Sequence, residues 1–567
     1  MGRAGALRTA AVAFVAALAA CSGQTPSGRP APGSVPPESG AATPSAPTRP
    51  AATGRTPLTP TTGPGLPSAP EPPVTTGPGG VPASFPLAVV TGLQNLKATV
   101  TLDELRSLAA RGSLVVPCGV TVSRPVMSPR GPCTDAARIV DVVRAAPGRV
   151  ALLPPGLVEP ATKVLSIAGP GPYGMFGPDL FGDKAARALR YPVSGSATTG
   201  ASSASGALDP RWTAYDASTV WTMTNLGSLC SDRGAATQAV ARGRGWDWVF
   251  EGGTARYARP AVVDPPYERP YRTVQPVDTG NRGATPRVVR QSDVAIADHE
   301  CPIVADRDYT PQLGTTTVFS VPEAVLPRWR DTLGLDVVYL AANHMSDKGV
   351  RGIRSTLRLM DQYHIPRTGL GMDLDEALRP AFVDVAGLRV GFVAVNDVAG
   401  VARADRTTPG VPWITRANIV EGVKRARAGG AHLVVCNPQW WGGAEYHDDL
   451  WPLQQKQVRW FAQAGCDHVI GSGTHVAGPL LLGRRAAGGV GVVLSSPGNY
   501  LFGQGWWQET QEGIILDLSF RGTTLVNVRM RPTVMIRQAR PALLDPQGDG
   551  RYVLQRVLKY SSVDYRR

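Results

Sequence analysis

The stretch Leu335–Lys348, LDVVYLAANHMSDK, decides the fold. Its apolar run Val337-Val338-Tyr339-Leu340 stops at a polar pair, Asn343-His344, and a helical pattern follows from Val350 to Tyr363. A short buried strand that hands over to a helix is one βα unit of a parallel sheet. In such sheets ligands bind beyond the carboxyl ends of the strands, where Asn343 and His344 would stand. The same pattern returns four times. Residues 292–297 run into Asp298-His299-Glu300-Cys301-Pro302, and residues 432–436 run into Asn437-Pro438-Gln439-Trp440-Trp441-Gly442. Asp467-His468-Val469-Ile470 ends at Gly471-Ser472-Gly473-Thr474-His475, and Val492-Val493-Leu494 ends at Ser495-Ser496-Pro497-Gly498-Asn499-Tyr500. Five strand ends converging on one edge are expected to make one site.

Ahead of this region the chain changes character several times. Arg3 and Arg8 precede a short apolar stretch that ends Leu18-Ala19-Ala20-Cys21-Ser22-Gly23. The apolar stretch Ala10 to Ala20 is too short to span a membrane stably, and residues 1–20 read as a signal peptide. The cysteine after small residues resembles the lipobox of bacterial lipoproteins, which implies cleavage before Cys21 and acylation of its sulfur. Residues 21–83 are dominated by Pro, Ala, Gly, Ser and Thr, and cannot bury enough surface to offset their ordering entropy. They read as a disordered tether with a reach of roughly 45 Å as a coil and up to ~190 Å in an extended polyproline-like form. Residues 84–193 read as a small α/β domain. Its strands are Ala88-Val89-Val90, Leu114-Val115-Val116 and Val150–Leu153, and its helix over 102–110 is opened by Thr101 with Glu104 three residues on. It looks faintly like a fragment of a solute-binding protein. A Ser/Ala/Thr/Gly-rich linker is expected over 194–210, a large α/β domain over 211–536, and a C-terminal extension over 537–567.

Six cysteines follow Cys21, and in an exported chain an even number favours disulfides. Cys118 with Cys133, Cys230 with Cys301, and Cys436 with Cys466 are the pairings the expected elements suggest, although connectivity is not readable from sequence. The formal charge of +14 falls to +12 once Arg3 and Arg8 are removed. The arginines are scattered, without the aromatic interleaving of a nucleic-acid platform, so nucleic acid is not the expected partner. An anionic polymer or an anionic envelope suits the charge better.

The order of the motifs carries a resemblance. Ala297-x-x-Glu300-x-Pro302, Asp336-Val337-Val338 with Ala342-Asn343-His344, Gly369-x-Gly371 with Glu376-Ala377 and Arg379-Pro380, Trp441-Gly442 with Glu445-Tyr446, residues 467–479, and Ser496 with Gly498-Asn499 together resemble the CapA family. These are capsule or poly-γ-glutamate synthesis proteins with a calcineurin-like metallophosphatase fold, and the resemblance covers roughly Tyr215 to Val534. It implies a layered α/β domain with metal ligands on the loops after successive strands. Carboxylates and imidazoles bind divalent cations there, and bound metal can activate water. On that basis Asp298, Glu300, Asn343, His344 and His475 are the expected ligands for one divalent ion of Mn, Zn or Fe. His344 and Glu445 are the expected catalytic groups, and Trp440, Trp441, Tyr446 and Asn499 the expected lining.

The departures from the family pattern matter as much. Asn225 stands where the family has an Asp, with Asp232 a few residues on as a partial substitute. Asp298 replaces an Asn, Trp440 replaces a His, and only His475 survives of a Gly-His-x-x-His motif. An indole offers a donor only and binds no metal. The expected site is therefore eroded. The leading expectation is a lipoprotein on the outer face of the cytoplasmic membrane, held by Cys21, serving capsule or poly-γ-glutamate assembly beside a membrane synthase. An active metal-dependent phosphoesterase or hydrolase is the first alternative. A sensor that captures a ligand through the 84–193 domain is the second.

Overall fold

The computed structural model describes residues 85–122, 126, 130–168, 180–181, 191–197, 219–258, 275–313, 317–440, 445–505 and 507–563. The expected signal peptide, Cys21 and the 21–83 tether lie outside them, as do Trp441 and most of the 194–210 linker. No helix among the described residues is long and apolar enough to cross a membrane.

Two sheets make the large domain. In the first, the strands Val220–Cys230, Val294–His299 and Val337–Tyr339 run parallel in that order, and Asn499–Phe502 pairs alongside the end of the first. The antiparallel strands Glu512–Arg521, Thr524–Ile536 and Arg540–Leu544 continue this sheet on its other side. The second sheet runs from Leu388–Asn396 through Leu433–Gln439 and His468–Ile470 to Val490–Leu494, all parallel. Alternation along the strands assigns the layers. Val294 and Ile296 pack inward together with Leu433, Val435 and Leu494, whereas Ala295 and Ala297 face a helical layer that includes Gly349–Gln362. Val434 and Cys436 face the other helical layer, built from Arg416–Ala428 and Pro452–Ala464. Both faces of each strand are buried, which is why the strands read as continuous apolar runs rather than alternating ones. The expected layered α/β architecture is present.

One expectation is corrected here. The five strand ends do not share one sheet edge: two belong to the first sheet and two to the second, with a third second-sheet strand, Val490–Leu494, leading into Ser495–Gly498. Local periodicity shows that a run is a buried strand, but not which sheet receives it.

The small domain holds a four-stranded sheet in the order Leu114–Val115, Val150–Leu153, Ala88–Gly92, Thr162–Val164. Thr101 caps the helix Leu102–Ala110 by accepting from the Glu104 N–H at 3.1 Å, and the Glu104 carboxylate meets Lys97 Nζ at 2.7 Å. This domain is not a free module. Its apolar residues continue into the core of the large domain, and the Val164 N–H donates to Asn527 Oδ1 at 3.1 Å. Ser194–Ala197, read as the start of a linker, is a strand between Phe85–Pro86 and Val120–Val122. The C-terminal residues are likewise built in. Helix Gly550–Lys559 sets Arg556 into a buried pair with Glu512 at 2.9 Å. All three expected disulfides, Cys118–Cys133, Cys230–Cys301 and Cys436–Cys466, are formed.

Candidate functional site

The carboxyl ends of the two sheets meet at a cavity of about 190 Å³ lined by Asn343, Val398, Glu445, Gly473 and His475. Asn343 comes from the first sheet. It is clasped by Gln439 of the second, whose Oε1 accepts from the Asn343 N–H at 2.7 Å while its Nε2 donates to Asn343 Oδ1 at 3.0 Å. This two-point amide clasp fixes the seam between the sheets.

His475 is the centre of the other side. It is buried with φ at +59°, a conformation unfavourable for a side-chain-bearing residue and common at functional sites. Its Nδ1 lies 3.0 Å from Asn499 Oδ1 and its Nε2 lies 3.9 Å from Glu300 Oε2. Asn499 is in place because two backbones approach closely. A Cβ on Gly227 would collide with the Gly498 carbonyl, so only glycine lets the Asn499 strand lie against the first strand. Asn499 Nδ2 then donates to Gln504 Oε1 at 3.0 Å and to the Thr510 carbonyl at 2.9 Å, which fixes the amide that faces His475.

Glu300 and Asp298 carry the charge. Glu300 is fully buried, and neither of its carboxylate oxygens has a hydrogen-bond partner among the described residues; the same holds for Asp298 Oδ1. Burial, and then the neighbouring Glu300, hold the Asp298 carboxyl well above the usual carboxylate range, against the opposing influence of the nearby Ser472 and Ser228 hydroxyls. Ser228 Oγ donates to Asp298 Oδ2 at 3.2 Å. Tyr446, with φ at +64°, lies over the His475 ring at 5.9 Å between centroids and packs edge-on against Trp507 at 4.9 Å. Burial, and next Glu445, push the Tyr446 hydroxyl up.

The remaining expected residues stand away from the cavity lining. His344 sits on the turn beyond the cavity lining, its Nδ1 2.9 Å from Asp347 Oδ2, which also accepts from the Phe319 N–H at 2.7 Å. Trp440 is not lining: it is fully buried, donates its indole N–H to the Ser495 carbonyl at 2.7 Å and packs on Phe461. Gly471 leaves the space for that indole. Asn225 is not at a strand end. It lies inside Val220–Cys230 opposite Ile296, and only after a bulge does Ser228 stand opposite Asp298. Asp232 offers no ligand either, because it accepts from the N–H groups of Gln312 at 3.0 Å and Ser320 at 3.1 Å and so ties down a loop.

Arg233 is the residue that sequence reasoning passed over. It is buried with φ at +47°, and its guanidinium lies 4.5 Å over the Phe319 ring, which in turn meets the His344 ring edge at 4.5 Å. Burial draws its pKa down, and Tyr446 and Asp232 act in the opposite direction. It stands three residues past Val220–Cys230, a strand buried along its whole length.

A metal centre of the family type was tested on these donors. Among the described residues no three His, Cys, Asp or Glu side chains are grouped to hold an ion. Orphaned oxygens on Asp298 and Glu300 mark a place where positive charge is wanted, but the donors present do not make a two-metal centre, and no step is derived through one. A proton on Asp298 relieves the same charge.

Comparisons with known proteins bear on this region. Residues 261–504 match the family of the bacterial capsule synthesis protein PGA_cap. The likeness to the CapA family is thereby supported over the part of the chain that holds the cavity. The capsule biosynthesis protein CapA of Bacillus anthracis is 26% identical over 255 residues, covering 42% of this chain and 58% of that protein. The PGA biosynthesis protein CapA of Bacillus subtilis (strain 168) is 26% identical over 261 residues, covering 45% of this chain and 64% of that protein. The chain thus spans less than two thirds of the length of either relative. Among solved structures, the 5'-nucleotidase precursor from Thermus thermophilus has a TM-score of 0.31 at 11% identity, covering 60% of this chain and 58% of that one. The calcineurin-like phosphoesterase YfkN from Bacillus subtilis has a TM-score of 0.28 at 11% identity, covering 59% and 98%. Likenesses this distant bear on no residue of the site.

Proposed function

We propose that this protein serves capsule or poly-γ-glutamate-type polymer assembly outside the cytoplasm, and that its strand-end cavity binds the polymer. The observation that carries the reading is the buried Glu300–His475–Asn499 line inside the region that matches the capsule synthesis family. A buried carboxylate without a hydrogen-bond partner beside an imidazole, with the second ring nitrogen held by a fixed amide, is costly to fold and able to accept from the amide N–H groups of a chain. The exported lipoprotein reading rests on the Leu18–Cys21 motif and the 21–83 composition. A tether of that length suits work at a distance from the membrane.

Titration calorimetry with oligo-γ-glutamate tests the reading. Binding by the parent chain that falls about tenfold or more in His475→Ala supports it. Equal binding by both proteins sinks it. Hydrolysis is the second reading, favoured by the strained backbones of His475 and Tyr446, which are common at reacting centres. Elemental analysis of the purified protein separates the two. Stoichiometric Mn, Zn or Fe that disappears in His475→Ala would move the weight to a metallohydrolase. The sensor reading has less support, since deleting everything after Pro210 would strip a core that the small domain shares.

A further inference from the structure

A second cleft, larger than the strand-end cavity, opens where the small domain meets the first sheet. It measures about 660 Å³, against 190 Å³ for the cavity, and falls in the size range of ligand sites. Helix Ala136–Ala145 supplies Asp141 and Arg144, and the turn after Gly156 supplies Glu159. The hairpin of Leu480–Arg484 supplies Arg484, and Arg521 ends the strand Glu512–Arg521. Three guanidiniums therefore face two carboxylates. Asp141 is already engaged by Arg144 at 3.5 Å.

Arg521 is the unusual member. It is half-buried, and its described partner is the Gly156 carbonyl at 3.4 Å, with no carboxylate beside it among the described residues. Burial draws its pKa down. A cation held away from water without a counter-ion costs folding energy, and an incoming anion would offset that cost. The guanidinium fork matches a carboxylate with two parallel hydrogen bonds. No aromatic side chain lines the cleft, so there is no stacking platform for nucleic-acid bases.

We infer that this cleft binds an extended carboxylate-bearing chain, with Arg521 and Arg484 as its principal contacts. The choice of a carboxylate chain rests on the polymer reading above, whereas the cleft and its charge do not. It would give the protein two grips on one chain, the cavity and the cleft.

Fluorescence anisotropy of the full chain tests this, with labelled oligo-γ-glutamate, α-linked oligoglutamate and an oligodeoxynucleotide of equal length as probes. The double variant Arg521→Gln/Arg484→Gln is expected to weaken γ-glutamate binding about tenfold at low salt. Arg521→Lys keeps the charge without the fork and is expected to fall between. Thermal melts confirm that each variant is folded. Unchanged binding in the double variant overturns the inference, and so does tighter, arginine-dependent binding of the oligonucleotide. Binding lost in His475→Ala but not in the arginine variants overturns the cleft and leaves the cavity reading intact. Equal, arginine-dependent binding of the α-linked and γ-linked chains supports the cleft and overturns selectivity for the γ-linked polymer.

Discussion

The two sides of the strand-end cavity hold their polar groups in opposite ways. On the first sheet, Asp298 and Glu300 carry buried carboxyl groups whose oxygens largely lack partners. On the second sheet, the neutral groups at the strand end have partners on them. Gln439 clasps Asn343 at two points, and Trp440 donates to Ser495. A neutral substitute can be absorbed into the fabric of the protein, because an amide or indole needs only a hydrogen bond. A buried charge cannot, because it needs a counter-charge or a proton. Gln439 and Trp440 are tied into the structure of the second sheet. The carboxylates of the first, facing His475, still lack partners.

Trp440→Ala is the harshest way to break this contrast. If the indole has joined the core, its removal costs about 3–5 kcal/mol through lost burial and the cavity left behind. It also leaves the Ser495 carbonyl without its donor. Urea unfolding of parent and variant measures the difference, and a loss below about 1 kcal/mol would place Trp440 in a binding wall instead.

The two sheets should also respond to pH in opposite senses. In the second sheet His468 is buried, its Nδ1 accepts from the Val492 N–H at 3.2 Å, and burial pushes its pKa down to about 4. The unfolded chain takes up this proton below about 6.5 while the folded protein does not, so the folded state loses stability as pH falls from 6.5 towards 4. The full loss is about 3 kcal/mol. His468→Gln should flatten that part of the stability-against-pH curve, whatever its effect on absolute stability. An unchanged slope would mean that burial does not hold the ring neutral in the folded protein.

The strands were legible because both their faces are buried, so apolar runs such as Val337–Leu340 stand out from the chain. The Cys230–Cys301 pairing followed from strands expected to be neighbours, and Cys118–Cys133 from closeness in sequence. The site was legible only in part, since it forms between two sheets. Asn343 could be placed at a strand end, but its clasp to Gln439 crosses 96 residues of sequence. Asn225 was misplaced because a bulge lets its strand run on to Cys230. Whether Trp440 served as core or wall depends on packing that no local pattern encodes. Arg233 drew no reading from the sequence, and its burial over Phe319 depends on residues 86 positions away.

Asp298→Asn is the mildest test and separates a proton from a cation. Burial and Glu300 raise the Asp298 pKa in the folded protein, so above about pH 4 the folded state holds a proton that the unfolded chain has released. Stability therefore falls as pH rises past that point, the reverse of the His468 arm. An amide carries no charge to bury, and its oxygen can still accept from Ser228. The variant should gain about 1–3 kcal/mol at pH 7 and lose this arm of the pH dependence. Denaturant melts at pH 4 and pH 7, with and without chelator, read both changes. A variant that is instead less stable than the parent at pH 7, by an amount that chelator removes, would show that the carboxylate is ionised against a bound cation. The first sheet would then have kept its ion as well as its charge.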